Sequence, residues 1–318
     1  MSTATESFIR FAPIYQKRVW GGRSLESRYG RELPDADSPF GESWEISARE
    51  EADSVAVNGP FAGKTLTELW GDPETRATIF GADAPAENRF PLLCKILDAR
   101  DKLSIQVHPP ASIAAELGGE PKTEVWYIAH ADPGAELYVG VKRGVDVDSF
   151  RIALETGEAE SSVHAIPVAA GDHIFIPSGR LHAIGAGMVI YEIQQNSDTT
   201  YRVYDWNRVG MNGEPRDLHI EESLKCIDFD DVEPTMDSAD GSLLCECEHF
   251  RLERHAIASG GNLQPATDGR FAIVTITKGE MGADTTFKEG DFFIVPAGSD
   301  ASTLVAADDS EVLLTTWP

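Results

Sequence analysis

The sequence is poor in cysteine and has no long apolar runs. It holds 4 cysteines in 318 residues, and Cys245 and Cys247 have no second Cys or His pair near them. That pattern argues against a zinc ribbon and a disulfide scaffold, and it is typical of a reducing compartment. No run approaches the ~20 apolar residues that span a bilayer. Met1 to Phe11 lacks the basic start and apolar core of a signal peptide. We therefore expect a cytoplasmic protein.

Basic residues are also scarce. There are 27 Lys and Arg against 53 Asp and Glu, which gives a formal net charge of -26. A field of that sign repels nucleic acid and anionic membranes, so we expect neither as a partner. It repels small anions as well, so a site for an anionic substrate requires a local cluster of Lys and Arg. The charge does not decide between a monomer and a homodimer.

Strand-length apolar runs dominate what is present. They lie between Gly, Pro, Asp and Asn residues, which predicts an antiparallel sandwich or barrel with few helices. The runs are Val125–Ile128, Ile174–Ile176, Val189–Ile193, Phe271–Ile276 and Phe292–Val295. The short helices are predicted at Thr65–Phe80, broken at Pro73, at Pro110–Leu117 and at Asp148–Leu154.

One motif occurs twice. Gly171–Gly179 and Gly290–Gly298 both read Gly-Asp, then an apolar strand, then Pro-small-Gly. The first copy continues into Arg-Leu-His, ending at His182, whereas the second continues into Ser299–Ala301 without a histidine. We interpret this as two related β-modules, of which the second is degenerate and carries no metal.

The acidic stretch Asp228–Asp240 is poor in core residues, as linkers are. It predicts a catalytic domain at 1–230, a linker at 231–240 and a degenerate β-domain at 241–318.

Three segments carry a candidate metal site. Gln106 and His108 lie two apart in an apolar segment, so on a strand they face the same side. Glu124 begins another apolar strand, and His182 follows a tight corner. Two imidazoles, a carboxylate and an amide oxygen suit Zn²⁺, although Fe²⁺, Mn²⁺ and Co²⁺ accept similar ligands. The first segment alone would be explained by a hydrogen-bonded His and Gln at a strand end.

At these residues the chain resembles the type I mannose-6-phosphate isomerase family in its compact bacterial form. The resemblance covers most of the chain up to Trp206 and is more general beyond it. The matching segments are Lys17–Gly22, Gly41–Ser47, Phe90–Ala99, Ser104–Pro109, Lys122–Glu124, Ser178–Ala183 and Glu192–Trp206.

The resemblance implies an all-β-dominated cupin, or jelly-roll β-barrel, with one Zn²⁺ per chain. It implies interconversion of mannose 6-phosphate and fructose 6-phosphate through a metal-stabilised enediol. Longer members have an extra helical region that this chain has no room for, so phosphate contacts must come from elsewhere. The implied site residues are the ligands Gln106, His108, Glu124 and His182, the catalytic Arg202 and Lys122, and the substrate-binding Ser104, Trp20 and Glu42.

Proton transfer has several candidate residues. Lys122 lies two residues before Glu124, so on a strand it shares the metal-facing side. Neighbouring positive charge would lower the pKa of Lys122 and make it a base near neutral pH. Asp198, which we also place in the substrate site, and Glu42 are rival bases.

Three other functions fit the same features. One is another cupin sugar-phosphate isomerase, such as one acting on glucose 6-phosphate. The second is an Fe²⁺ cupin oxygenase, which would not need Lys122 and Arg202 to bind an anion. The third is a sugar-binding or storage cupin without catalysis, which the intact ligand set disfavours.

Overall fold

The computed structural model describes residues 8–85, 87–265, 269–283, 285–297, 299 and 303–318. They form two compact units. One comprises Trp44–Cys94, Ser238–Pro318 and the described part of Met1–Ile14, and the other comprises Tyr15–Ser43 and Lys95–Asp237. The chain last changes unit after Asp237, inside the acidic segment 231–240. The functional division into 1–230 and 241–318 stays a prediction. Among these residues no helix has the length and apolar character to cross a membrane.

The second unit is built on two sheets. The five-stranded sheet has the order Val163–Pro167, Glu136–Val141, His182–Ile184, Ile105–Val107, Tyr201–Tyr204. The six-stranded sheet has the order His173–Ile176, Glu124–Ala131, Met188–Gln195, Leu92–Ala99, Ile14–Gly22, Phe40–Ile46, and the last three strands run past the ends of the unit. Its helices are Ser24–Ser27, Ala111–Ala114, Val147–Thr156 and Ile220–Cys226, with a 3₁₀ turn at Ala159–Ser162.

In the five-stranded sheet, apolar and polar side chains alternate along the strand Ile105–Val107 and so lie on opposite faces. Ile105 and Val107 point into an apolar cluster that also holds Leu181 and Val203. Gln106 therefore points to the opposite face. It lies directly across from His182 on one neighbouring strand and from Arg202 on the other. Directly opposed residues share a face of a sheet, so the pattern of apolar residues places three polar side chains in one row.

The first unit carries three antiparallel sheets. The largest has the order Ile9–Arg10, Phe292–Val295, Ala272–Lys278, Ser310–Thr316, Arg251–Ile257, Leu243–Glu246. The others are Asn262–Leu263, Leu304–Ala306, Glu280–Gly282, Thr286–Lys288 and the pair Ala48–Arg49, Ala52–Asp53. The helices are Leu66–Gly71 and Pro73–Phe80, with a 3₁₀ turn at Gly59–Phe61. Thr65 begins the first with a capping box, and Pro73 starts the second, as the break predicted there requires.

The two copies of the repeated motif have the same local structure. Gly171 and Gly290 take positive φ values of 93° and 88°. Each following aspartate accepts a hydrogen bond at 2.8 Å from the backbone N–H three residues earlier, Asp172 from Ala169 and Asp291 from Lys288. In the second copy Gly298, Asp300 and Ala301 lie outside the described residues.

The predicted mostly-β composition is confirmed, with antiparallel sheets and a few short helices. Each predicted apolar run coincides with a strand, including Glu124–Ala131 and Met188–Gln195. In the six-stranded sheet Phe40–Ile46 also pairs with Leu92–Ala99. Over the described ranges the strand orders do not close into a barrel.

Candidate metal centre and active-site cavity

The three predicted metal ligands with imidazole or carboxylate groups come together. His108 follows the strand Ile105–Val107, Glu124 begins Glu124–Ala131, and His182 begins His182–Ile184. One ligand atom from each lies within 4.8 Å of the others, and all three residues are buried. Three segments distant in sequence thus place one donor set at a single point of the second unit.

Hydrogen bonds fix the tautomers of both histidines. Nδ1 of His108 is 2.8 Å from the carbonyl oxygen of Thr199, and Nδ1 of His182 is 2.9 Å from that of Arg180. A carbonyl oxygen only accepts, so each Nδ1 carries the proton and donates it. Each neutral ring then has a lone pair on Nε2, which is the form that binds metals.

The triad fits a divalent cation. Nε2 of His108 and Oε1 of Glu124 are buried and have no hydrogen-bond partner among the residues described. Nε2 of His108 lies 3.6 Å from Oε2 of Glu124, and Nε2 of His182 lies 3.7 Å from Oε1. Ligands bound tetrahedrally at ~2.0–2.2 Å would lie roughly 3.3–3.6 Å apart. The observed distances are at or just above the upper end of that range. A buried imidazole nitrogen and a buried carboxylate oxygen that lack hydrogen-bond partners are costly unless a cation binds them.

Burial controls the charges of the triad. It lowers the pKa of His182, to about 3, with a further contribution from His108. Burial, followed by the charge of Lys122, also lowers the pKa of His108. Burial raises the pKa of Glu124, but Lys122 and then His108 outweigh it and hold that pKa well below its ordinary value. Neutral imidazoles beside a carboxylate are the protonation states that a metal requires.

The structure brings Gln106 to the triad through its amide nitrogen. Its Nε2 donates toward Nε2 of His182 at 3.2 Å, and its Oε1 accepts from the Ser104 hydroxyl at 3.2 Å. Service as an oxygen ligand requires a half-turn of the amide group. The position of Gln106 in the row agrees with the prediction, whereas the atom that faces His182 differs from it.

Two carboxylates beside Lys122 oppose the lowering of its pKa that neighbouring positive charge would cause. Nζ of Lys122 lies 2.9 Å from Oε2 of Glu124 and 3.8 Å from Oε1 of Glu192. Burial lowers the pKa of Lys122, but these carboxylates outweigh it and raise that pKa above its ordinary value. Lys122 is therefore an ammonium group in this arrangement.

A cavity of about 550 Å³ opens beside the triad. Gln106 and Lys122 line it and also contact the triad residues His182 and Glu124. The other predicted site residues in its wall are Trp20, Glu42, Ser104, Asp198 and Arg202. Its lining holds six Lys and Arg side chains against three carboxylates. In a chain of net charge -26 this is the local basic cluster that an anionic substrate requires.

Arg18 and Lys95 are tied to carboxylates of this same wall. Arg18 donates to both oxygens of Glu42, at 2.9 and 3.1 Å. Lys95 lies 3.5 Å from Glu192, 3.7 Å from Asp198 and 4.0 Å from Glu42. Glu42 is therefore the anionic partner of Arg18. The side chain of Asp198 is 42% exposed.

Among the described residues, the Arg202 side chain donates only to neutral acceptors. Its Nε donates to the Ser104 hydroxyl at 3.2 Å, and a terminal nitrogen donates to the Asp217 carbonyl at 2.9 Å. Burial, followed by the charge of Arg216, lowers its pKa, yet an arginine stays charged at any physiological pH. Its guanidinium charge is thus available to a ligand.

Sequence reasoning missed Glu192. It is 4% exposed, and its Oε2 accepts from the Trp126 indole at 3.0 Å. Burial raises its pKa, with Glu124 and Glu42 adding to the effect and Lys122 and Lys95 opposing it. An available signal was a charged residue inside the otherwise apolar run Val189–Ile193. Arg216 and His219, which also line the cavity, were missed because they lie in an irregular loop.

Known proteins resemble this chain in both sequence and fold. A profile of the phosphomannose isomerase type I catalytic domain matches residues 8–123. The mannose-6-phosphate isomerase of Streptococcus mutans is 36% identical over 292 residues, covering 88% of this chain and 89% of the relative. The crystal structure of the mannose 6-phosphate isomerase from Bacillus subtilis has a TM-score of 0.85 at 32% identity, covering 98% of this chain and 99% of that one.

A mannose 6-phosphate isomerase crystallised with zinc and yttrium has the same fold, with a TM-score of 0.71 at 16% identity, covering 98% of this chain and 99% of that one. Identity above 30% over most of both chains, together with the profile match, means that this chain belongs to the type I phosphomannose isomerase family.

Proposed function

We propose that this protein interconverts mannose 6-phosphate and fructose 6-phosphate as an aldose–ketose isomerase. The observation that carries the proposal is a buried His/Glu/His set beside a cavity whose wall holds six basic side chains, one of which, Lys122, contacts that set. A volume of about 550 Å³ is within the range of small-molecule sites. The family relationship supplies the substrate, because the relatives named above are mannose-6-phosphate isomerases.

The proposed cofactor is one Zn²⁺ per chain, held by His108, Glu124 and His182 with Gln106 as a fourth ligand. When bound, zinc would supply a Lewis acid next to the O1 and O2 oxygens of the sugar. Arg202 would stabilise negative charge on the same oxygens, since a fixed cation in a desolvated site acts where charge develops. Ser104, which accepts from Arg202 and donates to Gln106, keeps these two groups aligned.

The isomerisation moves a proton between C1 and C2 through an enediol, so the chain must supply a base. Glu42 is the weakest candidate, because Arg18 holds both of its oxygens. Glu192 joins Lys122 and Asp198 as a candidate, and we place it first. Its pKa is raised, and its Oε1 has no hydrogen-bond partner within the described residues. Lys122, as an ammonium group, is better placed to donate a proton or hold the substrate than to remove one.

We further propose a cupin-type arrangement for the catalytic strands, and a degenerate second module within 241–318. The matching turns at Asp172 and Asp291 support a common origin for the two copies. Every proposed catalytic and ligand residue lies within 1–230, the range assigned to the catalytic domain.

A substrate comparison tests the activity. The purified protein is given mannose 6-phosphate or glucose 6-phosphate, and fructose 6-phosphate is measured by NMR while dissolved oxygen is followed. The proposal expects mannose 6-phosphate to be consumed with no oxygen uptake. A clear preference for glucose 6-phosphate would support the other sugar-phosphate isomerase, and oxygen consumption would support the Fe²⁺ oxygenase.

A further inference from the structure

His219 makes a reciprocal contact with the backbone of Arg202. The backbone N–H of His219 donates to the Arg202 carbonyl at 2.7 Å, and the backbone N–H of Arg202 donates to Nδ1 of the His219 ring at 3.3 Å. The ring also packs at 5.8 Å from the ring of Tyr201. These contacts fix the ring at the edge of the strand Tyr201–Tyr204.

The contact also decides where the imidazole proton lies. A backbone N–H only donates, so Nδ1 of His219 must accept, and the neutral ring carries its proton on Nε2. His219 lines the cavity. Its Nε2–H has no hydrogen-bond acceptor in the part of the chain that the structure describes. The ring therefore holds a donor to which no described residue offers an acceptor.

The cavity that His219 lines also holds cations suited to a phosphate. Within the described ranges the Arg202 side chain bonds only to neutral acceptors. Arg216 lines the same cavity and is held by Asp205 through hydrogen bonds of 2.6 and 2.7 Å. Guanidinium groups together with a neutral N–H donor match the several acceptor oxygens of a phosphate group.

We propose that His219 is a substrate-binding residue whose Nε2–H donates to the phosphate group of the sugar phosphate. This rests on the proposed function, which supplies the sugar phosphate. It assigns to the irregular loop before the helix Ile220–Cys226 a part in recognising the anion, beside the guanidinium groups of Arg202 and Arg216.

Two amide substitutions test the acceptor Nδ1 and the donor Nε2 of the ring separately. His219→Asn places an oxygen near Nδ1, which keeps the acceptor for Arg202 and loses the outer donor. His219→Gln places an amide near Nε2, which keeps the donor and loses the acceptor. His130→Asn, at a partly exposed histidine paired with Asp132, is the matched control. KM and kcat for mannose 6-phosphate, the Kd of inorganic phosphate by calorimetry, and Tm are measured for each.

The proposal expects His219→Asn to raise KM and the phosphate Kd together by about tenfold, the loss of one charge-assisted hydrogen bond. It expects kcat and Tm of His219→Asn to change little, His219→Gln to lose less phosphate affinity than His219→Asn, and His130→Asn to stay near the wild type. Wild-type behaviour of His219→Asn would overturn it, as would a larger loss in His219→Gln, which would mean that the ring only positions Arg202. A raised KM with an unchanged phosphate Kd would also overturn it, because the contact would then be to the sugar. If the wild type does not turn over mannose 6-phosphate, the proposed function fails, while the phosphate titration still decides the role of His219.

Discussion

The ammonium group of Lys122 lies 2.9 Å from Oε2 of Glu124, and both side chains are buried. Glu124 belongs to the candidate metal site, and Lys122, two positions earlier in the chain, contacts it. Because Lys122 also lines the cavity, this ion pair joins the metal site to the substrate site.

Removing the charge of Glu124 should release the metal. Glu124→Gln keeps the size of the side chain but leaves two neutral imidazoles with an amide. We expect at least about 100-fold weaker zinc binding, because changes outside the ligand set alone cost ~10–100-fold. Zinc content after dialysis, measured by mass spectrometry, checks this. Glu116→Gln, at an exposed carboxylate, is the control, and equal zinc content in the two variants would contradict the ligand assignment.

Replacing Lys122 should reduce turnover without emptying the metal site. Lys122→Met keeps most of the apolar stem and removes the ammonium group. We expect kcat to fall by ~10²–10⁴, the range of acid–base contributions, with zinc retained. Lys142→Met changes an exposed lysine and serves as the control. Near-wild-type turnover in Lys122→Met would remove Lys122 from the catalytic groups.

Glu192→Gln tests the carboxylate that we place first as the base. Glutamine can still accept the indole N–H of Trp126, so the fold should be retained, but it cannot take up a proton. We expect kcat to fall by ~10²–10⁴ with little change in KM. A KM increase with unchanged kcat would instead make Glu192 a binding group and leave Asp198 as the leading base.

The metal-free protein should lose stability as the pH falls. The pKa of His182 is about 3 in the folded state, against ~6.5 for an ordinary histidine, and that of His108 is lowered too. Between these values the unfolded chain binds protons that the folded chain does not, so the free energy of unfolding decreases with decreasing pH. Each histidine contributes at most about 1.4 kcal/mol per pH unit.

Urea unfolding of the metal-free protein between about pH 7 and about pH 5.5 measures this dependence. Below ~4.5 the depressed pKa of Glu124 acts in the same direction. The variant His182→Asn should show a shallower slope. An identical slope would mean that His182 is not held neutral by the fold.

The sequence predicts the strands and the triad well, because both follow from local pattern. The alternation of apolar residues around Gln106 determines which side chains face the core. His108, Glu124 and His182 lie at strand ends that the sequence marks with proline, glycine or the start of an apolar run. Predictions that depend on three-dimensional neighbours did less well. The raised pKa of Lys122 arises first from Glu124 and then from Glu192, which is 70 positions away in the chain and is brought to Lys122 only by the fold. His219 could not be assigned from sequence, because its role follows from a backbone contact with Arg202.

The role of the metal and the identity of the substrate are tested together by turnover of mannose 6-phosphate to fructose 6-phosphate in three states of one preparation: as purified, after chelation, and after Zn²⁺ is restored. We expect activity to be lost on chelation and recovered with zinc at close to one ion per chain. Full activity in protein shown to be free of metal would contradict the role given to His108, Glu124 and His182, and no activity in protein with zinc fully bound would contradict the substrate.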